Sequence, residues 1–175
     1  TRRFPGELAD RTVAADGGVR NAMTWIDWTH YFETMPVDKI DFALRLEADR
    51  MAHALFPPKE VASERTVIIS ERQGHENSPG FRLMEEAQAT AFRVHSYHHE
   101  VIGDMADLES MTRDDLYGHY QQYYAPNNAI AVAVGDFKTR DMLARIKELF
   151  GSAKPKELPK LSPRPEPEQR GERRV

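Results

Sequence analysis

The chain has 175 residues, 40% hydrophobic and 30% charged, with a formal net charge of −4. This is enough for one sizeable domain, and it excludes a basic surface for nucleic acid or an anionic membrane. Its longest nearly uncharged apolar run, residues 128–135, falls far short of the roughly 20 residues a bilayer span requires. Cysteine is absent, which excludes disulfides, thiolate zinc sites and cysteine nucleophiles and leaves His, Asp and Glu for any metal.

Taken in order, the first segment predicts a helix over 7–15 with Leu8, Arg11, Thr12 and Ala15 on one face, closed by Asp16-Gly17-Gly18. Residues 19–35 are rich in Trp, Tyr, Phe, Thr and Ile and break near Asp27, which predicts two adjacent antiparallel strands. Pro36 ends the second, and Asp38 is placed to cap a helix running to about Leu55. On that helix Ile40, Leu44, Glu47 and Met51 lie near one face, with Ala43, Leu46 and Arg50 beside them. Pro57 and Pro58 stop it, and residues 59–76 read as the next helix. After Ser78-Pro79-Gly80 a helix over 81–93 is expected, with Leu83, Met84, Ala87, Thr90 and Ala91 inward. The aromatic, His-rich stretch 94–103 reads as a loop, and 112–124 as a helix carrying Leu116, Tyr120 and Tyr123 or Tyr124 at helical spacing.

The clearest strand signal is the apolar run 129–135 between Pro126 and Asp136. Met142, Ile146, Leu149 and Phe150 then form the inward stripe of a closing helix. Beyond it Pro155, Pro159, Pro163, Pro165 and Pro167 are interleaved with charges, so residues 153–175 read as an extended, mobile linker after a domain over 1–152. Helices mixed with antiparallel strands predict an α+β architecture, a two-layer sandwich of sheet and helices, rather than a doubly wound sheet.

The residues hold no Gly-rich phosphate loop, no Gly-x-Ser-x-Gly, and neither His-Glu-x-x-His nor His-x-x-Glu-His. Two weaker features remain. His95, His98 and His99 lie within five residues, but Ser96, Tyr97 and Gly103 argue for a loop, so a structural or solvated cluster is the preferred reading over a metal site. Glu64 and Glu71 are two turns apart on one helix, and therefore on one face, with Val67 and Ile68 between them. A stripe of this composition facing the core puts two acids where apolar residues belong, at a cost of several kcal/mol unless a cation or donors compensate. The alternative is an ordinary amphipathic helix whose acids pair with Arg65, Arg72 or Arg50.

An ordered series of short motifs carries a resemblance. It comprises Asn21-Ala22-Met23-Thr24 with Asp27, Thr29 and Tyr31, then Leu46-Glu47-Ala48-Asp49-Arg50-Met51, then Glu64-Arg65-Thr66-Val67-Ile68-Ile69-Ser70-Glu71. His95-Ser96-Tyr97, Val101-Ile102-Gly103, Tyr124-Ala125-Pro126-Asn127-Asn128-Ala129 and Val134-Gly135-Asp136 follow. The series resembles the insulinase/pitrilysin-type zinc metallopeptidases (M16) over nearly all of residues 1–150. That family hydrolyses peptide bonds with a zinc ion held by two histidines of His-x-x-Glu-His and by a glutamate on a later helix.

The resemblance implies that Glu71 is the third zinc ligand and that Glu64 supports the site. It also implies that Asn21, Ala22, Met23 and Thr24 form an edge strand on which an extended peptide substrate adds. Asp27, Thr29 and Tyr31 read as structural. In the family pattern the inverse motif falls a few residues before the position of Thr1. The sequence opens at Thr1 with neither an initiator Met nor a signal-like stretch, and so reads as a processed product or excised piece, truncated at its N-terminus. The segment alone is therefore expected to be inactive and without Zn2+, its parent being a zinc metalloendopeptidase for extended or unfolded peptides. A non-catalytic peptide-binding or partner subunit is the alternative. A second M16-like domain or subunit and a homo-oligomer are the implied partners. The implied source is bacterial, and the periplasm is preferred to the cytoplasm.

Overall fold

The computed structural model describes residues 1–174, as an α+β fold dominated by helices with one two-stranded antiparallel sheet. The elements are α1 (Leu8–Ala15), β1 (Val19–Thr24), β2 (Thr29–Thr34), α2 (Ile40–His53), α3 (Pro58–Glu76), α4 (Pro79–Ala91), α5 (Met105–Ser110), α6 (Arg113–Tyr123) and α7 (Thr139–Phe150). Two compact units divide them. The first contains Thr1–Met23, Thr29–Phe56 and Asp114–Pro159, and the second Thr24–Trp28, Pro57–Arg113 and the tail from Lys160.

In the first unit α1 buries Ala9 and Val13, not the face of Leu8, Arg11, Thr12 and Ala15. The two small apolar side chains allow close packing, whereas that other face carries an arginine that must reach water. Gly17 then takes a left-handed φ of +77°. Gly18 is obligatory on space, since a Cβ there would lie 2.9 Å from the Thr34 carbonyl oxygen and 3.1 Å from Val13 Cγ1.

α2 begins after a Pro36–Lys39 turn, and its N-cap position is Lys39, without a side-chain cap. Asp38 therefore does not serve as the cap, because the turn bond from Lys39 N–H to the Pro36 carbonyl (2.8 Å) already sets the start. The C-terminal end is closed from α6. Tyr120, 6% exposed, sets its hydroxyl 2.8 Å from the carbonyls of Arg50 and Met51 and accepts from Ala54 N–H at 3.1 Å. One phenol thus satisfies backbone groups that a helix end leaves orphaned. On the other side α7 turns Met142, Ile146, Leu149 and Phe150 inward as its period predicts, and Arg145 Nε bonds Asp41 Oδ1 at 2.5 Å.

The run 129–135 is not a strand. It is extended without a ladder, and Ile130, Val132 and Val134 are 93%, 79% and 91% exposed. A strand exists only through hydrogen bonds to a neighbour, and among the described residues the one sheet is β1–β2.

In the second unit α3 packs against α4 and α5. α3 turns Val61, Arg65, Ile68, Ile69 and Arg72 inward, and Arg72 is 6% exposed. Its guanidinium is met by Glu85 of α4, by Glu76 at 3.5 Å and by the Phe81 ring at 5.1 Å. That demand selects α4's buried face: Phe81, Glu85, Gln88 and Thr90 lie partly buried, while Leu83 and Met84 are exposed and Ala87 and Ala91 do not point inward. Ser78 caps α4 by accepting from Phe81 N–H, so Pro79 and Gly80 belong to the helix, not to a turn. The 94–103 segment is a loop containing one 3-10 turn, Ser96–His98, and α5 is an element with no periodic signal of its own.

The tail has neither helix nor strand beyond residue 153 among the described residues, and it is anchored to both units by hydrogen bonds. Within the first unit Lys156 Nζ donates to the carbonyls of Gln121 (2.6 Å) and Tyr124 (3.0 Å). Within the second, Glu166 and Arg173 bond the chain at the end of α4.

Candidate functional site

β1 and β2 are joined by the turn in which Trp25 N–H meets the Trp28 carbonyl at 2.9 Å. In a two-stranded sheet each strand keeps one unpaired edge, and Asn21, Ala22, Met23 and Thr24 are all exposed. The Asn21 side chain already occupies one donor there, its Oδ1 accepting from Ala22 N–H at 2.8 Å. Tyr31 and Asp27 have structural partners. Tyr31 Oη lies 2.5 Å from Tyr124 Oη, and Asp27 Oδ2 accepts from Tyr97 Oη at 2.5 Å.

Glu64 and Glu71 sit on the outward face of α3, with Val67 56% exposed between them. The inward placement is therefore corrected: α3 is rotated so that Arg72, which has carboxylates to meet, takes the interior. Glu71 Oε1 lies 4.0 Å from His75 Nε2 one turn on, and its side chain is 58% exposed. None of the arginines considered as its partner bonds it among the described ion pairs; Arg65 instead donates to the Met111 carbonyl.

A zinc site requires three or four donors. Among the described residues no group of three His, Asp or Glu side chains could hold a metal. Glu71 and His75 thus contribute at most part of such a site, and the described residues alone do not fit the ion. The loop histidines are engaged elsewhere: His95 Nδ1 accepts from Tyr97 N–H at 3.2 Å, and His99 Nδ1 lies 3.0 Å from the Glu100 carbonyl oxygen.

The structure draws a different acid out of solvent, beside a second one. The carboxyls of Glu33 on β2 and Glu47 on α2 interact, with the Glu33 side chain 8% and the Glu47 side chain 25% exposed. Arg50 contacts Glu47, lies 3.9 Å from Glu33 Oε1, and stacks 3.5 Å from the centre of the Tyr31 ring. Burial first, then the neighbouring Glu47 carboxylate, push the Glu33 carboxyl up to about 8, against the lowering fields of Arg50 and Arg20. Burial likewise raises the Tyr124 phenol. This cluster escaped the sequence reading, although Glu47 and Arg50 at i, i+3 on a half-apolar helix face were its available signal.

The comparisons fit this geometry. The sequence model of Insulinase (Peptidase family M16) matches residues 1–105, and that of the Peptidase M16 inactive domain matches residues 110–175. The chain is 35% identical over 155 residues to a protein named zinc protease PqqE from Helicobacter pylori, covering 88% of this chain and 35% of that protein. It is 27% identical over 134 residues to a probable mitochondrial-processing peptidase subunit beta of Arabidopsis thaliana, covering 77% and 25%. It thus spans about a third of the length of the first of these relatives and a quarter of the second. The crystal structure of a Helicobacter pylori protease superposes with a TM-score of 0.82 at 34% identity, over 86% of this chain and 37% of that one. The periplasmic protease PqqL from Escherichia coli shares the fold with a TM-score of 0.84 at 24% identity, over 95% and 19%. This chain belongs to the insulinase-type peptidases, family M16.

Proposed function

We propose that this chain is part of a zinc-dependent metalloendopeptidase that cleaves extended or unfolded peptides. The observation that carries the reading is the 35% identity to a zinc protease over nearly the whole chain. The free edge of β1 supports it: an extended peptide would add along Asn21–Thr24 by main-chain hydrogen bonds, with little demand on its sequence. Asn21 would have to release Ala22 N–H as the peptide pairs. Glu71, exposed on α3 with His75 one turn away, is free to ligate a metal completed by residues elsewhere in the protein, and Glu64 would support it. The remaining ligands and the general base are placed outside these residues, so the chain alone is inactive. A second M16-like domain or subunit would complete the protein, as PqqL from Escherichia coli has a first half of this fold within a longer chain. The periplasm is the proposed compartment, the neighbour PqqL being described as periplasmic.

The second reading is a non-catalytic peptide-binding or partner subunit, favoured by the match of residues 110–175 to the inactive domain. Zinc content and cleavage of an unstructured peptide, measured on the full-length protein and on its Glu71→Gln variant, separate the two. Stoichiometric zinc with activity, both lost in the variant, is expected of the peptidase. A full-length protein with neither is the partner subunit.

A further inference from the structure

α4 ends with two faces of opposite polarity close together. Its last carbonyls carry the negative end of the helix dipole. Just beyond them Phe92 turns extended (φ −111°, ψ 121°), and the next three backbone N–H groups, of Arg93, Val94 and His95, point to a common acceptor. Successive N–H groups arranged this way receive an anion. Both faces are occupied from the same chain, about 70 to 80 residues downstream. Glu166 Oε1 accepts from Arg93 N–H at 2.6 Å, and Oε2 accepts from Val94 and His95 N–H at 2.9 and 3.0 Å. Arg173 Nη1 donates to the carbonyls of Thr90 at 2.5 Å and Ala91 at 3.1 Å.

We propose that the end of α4 and the 93–95 backbone form a two-part docking site for an acid-then-base segment, and that Glu166 and Arg173 fill it as a strap. Charge complementarity identifies the occupant. The anion reaches the N–H groups and the cation the carbonyls, whereas Glu168 with Arg170, and Glu172 with Arg174, pair inside the tail at 3.7 and 2.9 Å. Those four charges pair with one another, and Glu166 and Arg173 carry the attachment to the end of α4. The three N–H donors also hold the Glu166 carboxyl down to about 2, so the clasp stays ionised across all physiological pH. The strap fastens the tail of the second unit to the end of α4, beside His95. This inference is independent of the proposed peptidase activity.

The test uses the whole 175-residue chain and its Glu166→Gln and Arg173→Ala variants. Hydrogen exchange at the amides of Arg93, Val94 and His95 is read alongside tryptic cleavage after Arg170, which lies between the anchors. Glu166→Gln should speed exchange at these three amides about tenfold, and both variants should speed cleavage after Arg170 about tenfold. The urea midpoint of each variant should match wild type, separating strap release from unfolding. Equal exchange and cleavage in wild type and both variants overturns the proposal. So does acceleration that tracks a lowered urea midpoint.

Discussion

Two pairs of glutamates in this chain exchange the environments their sequence contexts suggest. Glu64 and Glu71 share a helical face with Val67 and Ile68, a pattern that reads as acids drawn into a core, yet they are solvated. Glu33 and Glu47 sit on consecutive elements among ordinary strand and helix residues, yet they face each other beside Arg50, with Glu33 drawn out of solvent. Helical spacing reports which residues share a face. It does not report which face turns inward, and on α3 the need to satisfy Arg72 settles that.

The largest effect that would break this comparison is expected at Arg50. Arg50→Ala strips the cation from Glu47 and the stack from Tyr31, and should destabilise the chain by about 1.5–3 kcal/mol in urea unfolding. A loss below 1 kcal/mol would mean the pair is solvated after all.

Next comes the pH dependence. The Glu33 carboxyl is raised from 4.5 to about 8, so the folded state holds a proton that the unfolded state has released. Stability from this group is therefore complete below pH 4.5 and falls as pH rises to about 8. Glu33→Gln keeps a hydrogen-bonding partner and cannot ionise. It should remove that fall and raise stability at pH 8 by on the order of 1–3 kcal/mol. An unchanged stability–pH profile would place Glu33 in water.

The smallest effect sharpens the other half. Glu64→Gln and Glu71→Gln should each leave stability within about 0.5 kcal/mol, as exposed substitutions do. A larger loss in the isolated chain would show that α3 buries that face.

The two strand predictions teach the same lesson about partners. β1–β2 was legible because both strands and their turn are local, and Trp25 closes on Trp28. The run 129–135 has the stronger apolar signal but no neighbour among the described residues, so its side chains stand in solvent. Full-length protein should protect its amides from exchange if a further strand covers it.

Sequence alone determined the local elements to within a residue or two at their ends: the helices read to about Leu55, over 59–76 and over 112–124, the closing helix with Met142 to Phe150, the hairpin, and the family, because these rest on periodicity, proline punctuation and short motifs. α5 carried no such periodic signal, and the apolar stripe of α4 misdirected its inward face. Tertiary structure decided which way α3 and α4 face, that Glu33 and Glu47 meet, and that the proline-rich tail is clasped at Glu166 and Arg173. Those outcomes depend on a buried charge finding its partner and a backbone group finding its acceptor across long stretches of chain. No local pattern encodes that pairing.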